Sequence, residues 1–115
     1  MLDDVALTAL HSALSGLSAR QRAISDNIAN VNTPYFKARS VSFEGQLKQA
    51  LADGEDPLSV GPQTVFSQAP GGLTGNNVNL PDETVASVNT QLAYELALRA
   101  TGDRYSLYRT AAKGA

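Results

Sequence analysis

Few side chains in this sequence could do chemistry. His11 is the one histidine among 115 residues, and there is no cysteine. The positions three and four residues before it are Thr8 and Leu7, so no carboxylate stands there to orient the imidazole on a helix. We interpret His11 as a surface or interface histidine. Without cysteine, disulfides and thiolate chemistry are excluded.

Two clusters suggest ligand sites but lack the required spacing. Asp53, Glu55 and Asp56 surround Gly54 without the alternation of a calcium-binding loop. The string PGGLTGNN, residues 70–77, has three glycines but neither GxGxxG nor the GK[ST] ending of a phosphate loop. We interpret the first cluster as a solvated loop and the second as turns. The sequence predicts no enzyme, no metal site and no cofactor.

Aromatic and basic residues near the C-terminus could form a surface for stacking bases and binding phosphate. They are Tyr94, Tyr105 and Tyr108, with Arg99, Arg104 and Arg109. The net charge of −2 gives no field that would attract nucleic acid or an anionic membrane. We therefore expect these residues to pack against other parts of the protein, and we expect no nucleic-acid partner.

The N-terminal segment does not have the pattern of a secretory signal. Asp3 and Asp4 stand where basic residues are usual, and the apolar positions that follow are spaced rather than continuous. No run approaches the roughly 18 apolar residues of a membrane span. We expect no membrane insertion, and any export must use a route that reads no cleaved signal.

The elements that must position these residues begin with a long helix, predicted from about residue 4 to residue 30. Its apolar positions form a heptad seam in which Gln21 fills one gap. The seam consists of Leu7, Leu10, Leu14, Leu17, Ile24, Ile28 and Val31. The string NIANVNTPYFK then ends the helix, because Thr33 precedes Pro34 and asparagine favours turns.

The middle of the chain, residues 33–80, is predicted to be mostly irregular. Residues 42–52 have apolar side chains at helical spacing and predict one short helix, and residues 64–67 predict a short extended piece. Many glycines and prolines between 53 and 75 predict a loop.

A second long helix is predicted over residues 82–112, where Asp82 and Glu83 suit the first turn. One apolar face is traced by Val85, Val88, Leu92, Leu96 and Leu107. We expect this face to meet the seam of the first helix in an antiparallel, coiled-coil-like hairpin. The fold class predicted is mainly α and elongated, with segments 1–32, 33–80 and 81–115 in one domain.

The two predicted helices are too long for a compact particle. At 1.5 Å per residue they would measure about 40 and 46 Å, whereas a globule of this length has a radius of gyration of about 13 Å. Part of each apolar face would stay exposed on a lone chain. Such helices are usually covered by neighbouring subunits.

Both ends of the chain resemble a known family. NIANVNTPYFKARSVSFEGQL, residues 27–47, resembles the N-terminal signature of the flagellar axial proteins, the rod, hook and hook-associated family. Within that family KARSVSFEGQLKQAL and TGNNVNLPDETVASVNTQLAYE look most like the proximal rod proteins. The resemblance covers residues 5–51 and 74–110. Glycine usually follows Thr-Pro in the family, whereas Tyr35 stands here, so a positive φ would strain it.

The resemblance implies a structural, non-enzymatic subunit of the basal-body rod in the periplasm, exported by the flagellar type III apparatus. Its partners would be copies of itself, other rod proteins and the protein that joins the rod to the MS ring. The alternative is a helical-hairpin adaptor in a soluble cytosolic complex. The residues expected to make assembly contacts are Leu7, Leu10, Leu14, Leu17, Ile24, Asn27, Ile28, Asn30, Asn32, Thr33, Pro34, Tyr35, Phe36, Val85, Val88, Leu92, Leu96 and Leu107.

Overall fold

A computed structural model describes residues 5–114 and consists mainly of two long helices. The elements, in chain order, are α1 (Val5–Ala29), β1 (Arg39–Ser42), α2 (Glu44–Asp53), a 3-10 turn (Pro57–Ser59), β2 (Gln63–Phe66) and α3 (Leu80–Gly114). The predicted helices are confirmed to within about two residues at each described end. Asp3, Asp4 and the expected start of the first helix lie outside the described residues.

The molecule is elongated, as predicted. Its extents are 66, 26 and 14 Å, and its radius of gyration is 17.7 Å. A compact chain of this length would have a radius of gyration of about 13 Å. The 35-residue α3 exceeds the 25-residue α1 in length, so one helix sets the long axis of the molecule.

Helices α1 and α3 run antiparallel, which confirms the predicted hairpin. Near the end of α1, Asn27 donates to Glu83 at the start of α3, and six residues earlier on α1 Gln21 donates to Ser87 over 2.9 Å. Toward the other end, the exposed His11 lies beside Tyr105, with 3.3 Å between Nε2 and the phenolic oxygen. Residues near the end of α1 therefore lie beside the start of α3, and residues near the start of α1 lie beside a later part of α3.

The face of α3 that packs on α1 is not the predicted one. Thr90 and Thr101 are buried there, and Ala93 and Ala97 pack on the core. The large aliphatic residues expected at this interface are instead 55–61% exposed: Val85, Val88, Leu92, Leu96 and Leu107. Successive residues turn by about 100°, so Leu92 and Thr90 lie on nearly opposite sides of α3. The prediction that the aliphatic face pairs with α1 was wrong.

The seam of α1 does face the interior. Leu17 and Ile24 are buried, while the remaining apolar members are partly buried: Leu7, Leu10, Leu14, Ile28 and Val31. Ala93 and Ala97, the α3 residues that pack against the cluster around Leu17, are small, so the larger side chains of α1 fill most of the interface.

The middle segment packs on α1 and completes the core. Strands β1 and β2 form an antiparallel pair in which Arg39 lies opposite Phe66. Val41 and Phe43 are buried against Leu17. The Phe43 ring lies directly on Gly16, where an added Cβ would sit 2.4 Å from the ring. The extended piece predicted near residues 64–67 is confirmed as β2, whereas β1 has only four residues with one apolar side chain and was missed.

Candidate assembly site

The asparagine junction, formed by Asn27, Asn30, Asn76 and Asn77, is the polar centre of the fold. Asn27 has 0% exposure. Its Nδ2 donates to the Arg39 carbonyl over 2.8 Å and to Glu83 Oε1 over 2.6 Å, and its Oδ1 accepts the Arg39 N–H over 2.9 Å. One side chain therefore joins α1, β1 and α3.

Asn30 closes the end of α1. Its Nδ2 donates to the Asp26 carbonyl over 2.8 Å, and its Oδ1 accepts the Thr33 hydroxyl over 3.0 Å. The Asp26 carbonyl also accepts the Asn30 backbone N–H over 3.1 Å, so the side chain adds a second bond at the end of the helix. Asn32, two residues further along the turn, is exposed.

Asn76 and Asn77 come from the string before α3 and bond the string after α1. Asn76 Nδ2 donates to the carbonyls of Asn30 and Thr33, each over 2.8 Å. Asn77 Oδ1 accepts the Ala38 N–H over 2.6 Å. The two segments that carried the family resemblance are thus in contact, 43 residues apart in sequence at the Asn76–Thr33 bond. The sequence did not predict this contact, although paired asparagines after a glycine are a turn signal.

Asn79 ends the same string by capping α3. Its Oδ1 accepts the Asp82 N–H over 3.1 Å, while its backbone carbonyl accepts the Glu83 N–H over 3.0 Å. Asparagine is among the preferred N-cap residues. The start of α3 is therefore set by a local signal, which places Glu83 within reach of Asn27.

Tyr35 has the left-handed backbone expected from the family turn. Its φ is 63°, the one positive value for a non-glycine residue among residues 5–114. The Tyr35 N–H donates to the Thr74 carbonyl over 3.0 Å. Gly75 has a φ of 80°, and an added Cβ there would lie 2.6 Å from Tyr35 Cδ1. The tyrosine ring thus rests against Gly75 and is otherwise 80% exposed.

The other residues of this turn differ in accessibility. Thr33 and Pro34 are exposed. Phe36 is partly buried, with the Arg39 guanidinium 5.5 Å from its ring centre. Arg39 also forms an ion pair with Asp26 at 3.3 Å. Of the two aromatics predicted to offer contact area, Tyr35 is thus the accessible one.

Arg20 fixes the middle segment to α1, a role that the sequence did not predict. Its guanidinium bonds both carboxylate oxygens of Glu44, at 2.5 and 2.6 Å, and donates to the Val41 carbonyl over 2.7 Å. It also lies 5.0 Å from the centre of the Phe43 ring. The side-chain hydrogen bond lowers the pKa of Glu44 and raises the pKa of Arg20 above its ordinary value. The bidentate geometry is the strong form of this interaction.

Comparison with known proteins identifies the family. A family model described as flagella basal body rod protein matches residues 7–37. The flagellar basal body rod protein FlgB of Borreliella burgdorferi is 35% identical over 107 residues, covering 75% of this chain and 79% of that protein. The chain belongs to the FlgB family.

Other FlgB proteins match over more of the chain. The FlgB protein of Escherichia coli is 30% identical over 122 residues, covering 87% of this chain and 88% of its own length. The FlgB protein of Bacillus subtilis is 26% identical over 122 residues, covering 91% of both chains. The match to FlgB proteins therefore extends well beyond the segment matched by the family model.

This FlgB-family chain presents a continuous apolar face on α3. We call Val85, Val88, Leu92 and Leu96 the α3 stripe. Each of the four is between 55% and 61% exposed, and they recur at spacings of three and four residues on the side of α3 away from α1. Leu107 continues the exposed apolar surface further along. No contact within the described chain covers this face.

Two clefts of this FlgB-family chain are formed by residues within 5–114, and neither has a histidine, cysteine or lysine in its lining. The larger cleft, about 1030 Å³, lies between β2, the following loop and the first turn of α3. Its charged lining residues are Arg39, Asp82 and Glu83. Among residues 5–114, no three His, Cys, Asp or Glu side chains cluster where they could hold a metal ion. Within the same range, every helix is too short or too polar to cross a membrane.

Proposed function

We propose that this chain is a structural subunit of the flagellar basal-body rod, in its proximal part. Copies would assemble through their long helices, together with other rod proteins, into the axial structure that transmits motor torque. Membership of the FlgB family supports the rod role. Export would proceed through the flagellar type III apparatus, and the protein joining the rod to the MS ring would be a further partner.

The observation that carries the proposal is the exposed α3 stripe. In an isolated chain this face contacts water, although its residues are as apolar as those of the core. Covering the exposed part of each aliphatic side chain with a neighbouring helix would contribute about 1 kcal/mol. Contiguous apolar patches on a soluble chain usually mark interaction surfaces. The residues predicted from sequence to make assembly contacts include all four members of the stripe.

We further propose that the three segments of the chain have different roles. Segments 1–32 and 81–115 supply the axial helices, and segment 33–80 connects them and supports α1 through Phe43 and Glu44. The half-buried α1 residues Leu10 and Ile28 would contribute less to contacts between subunits than the α3 stripe, because much of their surface is already covered. The turn residues near Tyr35 would provide a second contact region.

The test replaces Leu92 and Leu96 together with serine. Both side chains point away from α1, so the purified variant should keep its helical circular dichroism and its thermal unfolding midpoint. In the bacterium, with the chromosomal copy replaced, we expect the variant to be missing from isolated basal bodies and the cells to lose motility.

Leu51→Ser is the matched control. Leu51 is also an exposed leucine on a helix, but it lies on α2 rather than on the stripe. Cells with this variant should assemble rods and swim. Normal basal bodies containing the double serine variant would contradict the proposed role of the stripe.

A further inference from the structure

The short sheet has an open edge along β2. Within residues 5–114 the sheet consists of β1 and β2, so β1 is the one strand that pairs with β2. All four residues of β2 are exposed, including the apolar Val65 and Phe66. An uncovered strand edge presents backbone donors and acceptors that can pair with a strand of another chain. The outer edge of β2 is therefore an interaction surface of defined chemistry.

The register of the sheet shows which backbone groups lie at this edge. In an antiparallel pair, successive residues point their N–H and C=O groups alternately toward the partner strand and away from it. On β1, backbone groups of Arg39 and Val41 bond to side chains of α1 rather than to β2. Their partners across the sheet are Phe66 and Thr64. The N–H and C=O groups of Phe66 and Thr64 therefore point away from β1, to the outer edge of β2.

We propose that β2 of one copy pairs with β2 of a second copy, in an antiparallel arrangement centred on Val65. The outward groups belong to Thr64 and Phe66, which flank Val65. Antiparallel pairing about Val65 places Thr64 of each copy opposite Phe66 of the other. Each of these pairs exchanges two backbone hydrogen bonds, so all the outward groups of both strands are satisfied. The edge is thus complementary to itself, and the contact is isologous.

The charge distribution suits a contact of a surface with itself. Near a two-fold axis each side chain lies close to its own counterpart, so a charge there would be repelled by the same charge of the second copy. Residues 57–81 contain no charged side chain, although the whole chain has nine basic and eleven acidic residues. The absence of charge along β2 and its flanking segments removes this repulsion.

The charged side chains near β2 lie on the other face of the sheet. Three of them line the cleft between β2 and α1: Arg22, Asp26 and Arg39. Thr64 also lines this cleft, and it shares a face of the sheet with the buried Val41, which packs against α1. Val65 points to the opposite face, because successive residues of a strand alternate. The side chain at the centre of the contact is therefore directed away from these charges.

The proposed pair would form between copies that are outside the rod. An isologous contact closes with two copies, whereas an open helical assembly repeats a heterologous contact. The inference therefore does not rest on the rod role. Pairing would cover the β2 edge of chains before they are incorporated and would prevent that edge from pairing with other strands.

Disulfide trapping tests the register directly, because the natural chain has no cysteine. At the centre of the proposed pair, the two copies of residue 65 would be about 4.5 Å apart between Cα atoms, a separation that a disulfide spans. Purified Val65→Cys, treated with a mild oxidant, should shift from monomer to covalent dimer on non-reducing gels. Absence of this dimer would overturn the proposal.

Gln63→Cys is the matched control. Gln63 is exposed and lies on the same strand and the same face as Val65. In the proposed pair its two copies would be about 14 Å apart, at 3.4 Å per residue along the strands, which is beyond the reach of a disulfide. The control should stay largely monomeric. Equal dimer yields from the two variants would indicate random collision and would overturn the proposal.

A proline at residue 64 tests the role of the backbone. Thr64→Pro removes an outward N–H but no bond to β1, so the variant should keep its helical circular dichroism. Combined with Val65→Cys, it should reduce cross-linking to the level of Gln63→Cys. Undiminished cross-linking would overturn the strand pairing, and loss of the fold would contradict the outward assignment of this N–H. In cells, cross-linking of Val65→Cys to a different protein instead of to a second copy would also overturn the proposal.

Discussion

The Asn27 amide donates to the carboxylate of Glu83 over 2.6 Å and so joins the last turn of α1 to the first turn of α3. The same side chain pairs with both backbone groups of Arg39. Asn27 has no exposed surface, so water cannot replace these bonds when they are lost. The contact therefore fixes the relative position of two helices whose interface has small residues such as Ala93 and Ala97 on the α3 side.

Asn27→Ala should strongly destabilise the fold. The change leaves the Arg39 backbone groups and the Glu83 carboxylate without their buried partner, and we expect the free energy of unfolding to fall by about 3 kcal/mol. Urea unfolding followed by circular dichroism measures the loss. Asn32→Ala is the matched control, since Asn32 is exposed and its replacement should change stability by less than about 0.5 kcal/mol. Equal effects of the two changes would contradict the assigned role of Asn27.

Two glycines in helices should respond oppositely to alanine. Gly102→Ala should stabilise the chain by about 1 kcal/mol, because no atom lies within 4 Å of the new methyl group and alanine favours helix. Gly16→Ala should destabilise it by about 1–2 kcal/mol, because overpacking against the Phe43 ring outweighs the gain in helix propensity. Thermal unfolding of both variants checks the pair. A Gly16→Ala variant as stable as Gly102→Ala would show that Phe43 does not pack on this glycine.

Substitutions at Tyr35 separate backbone strain from ring contacts. Tyr35→Ala and Tyr35→Gly both remove the ring, but only glycine adopts a φ of 63° without strain. We therefore expect the glycine variant to be more stable than the alanine variant by about 1 kcal/mol, from the strain of the left-handed conformation. Chemical denaturation of the two purified proteins measures the difference. An alanine variant of equal or greater stability would show that the residue does not hold this conformation.

The Arg20–Glu44 ion pair predicts a small dependence of stability on acid pH. The pKa of Glu44 is lower in the folded chain than in the unfolded chain, chiefly through its bond to Arg20. The contribution is therefore fully present above the ordinary glutamate value of about 4.3 and is lost as the pH falls through the lower folded value. Because the Glu44 side chain is largely exposed, we expect less than about 1 kcal/mol at neutral pH.

Glu44→Gln tests this contribution. The variant should be slightly less stable than the natural chain at pH 7, and the difference should vanish at a pH below the folded pKa of Glu44. Urea unfolding over a series of pH values gives both results. Glu55→Gln, in the exposed loop after α2, is a control with one fewer carboxylate and no Arg20 contact. A difference between the natural chain and Glu44→Gln that persists in acid would assign the effect to packing or to the helix dipole instead.

The sequence by itself determined the two long helices, the places where they stop and the elongated shape. These features depend on local signals. A repeat of apolar residues every three or four positions predicts a helix, and asparagines followed by Thr33 and Pro34 end one. Helix length then follows from residue count. The same strings carried the resemblance to the flagellar axial family, because the residues that end α1 and begin α3 form local turn and capping motifs.

The tertiary structure alone decided which face of α3 is inside. One face of α3 carries alanine, serine and threonine, and another carries valine and leucine. From hydrophobicity alone, the valine and leucine face was predicted to pack in the core. The alanine, serine and threonine face packs on α1 instead, because α1 also contacts Val41, Phe43 and Glu44 of the middle segment. That segment covers much of α1, and close approach of α3 then favours small side chains over large ones.

The contacts of the asparagine junction likewise could not be predicted from the sequence. The polar strings of Asn27 and Asn76 lie far apart along the chain, and each alone predicts only a turn. Their mutual hydrogen bonds exist because antiparallel packing brings the end of α1 to the start of α3. Local chemistry thus set where each helix ends, whereas the choice of partners for the buried amides and of the exposed apolar face depended on how the helices meet.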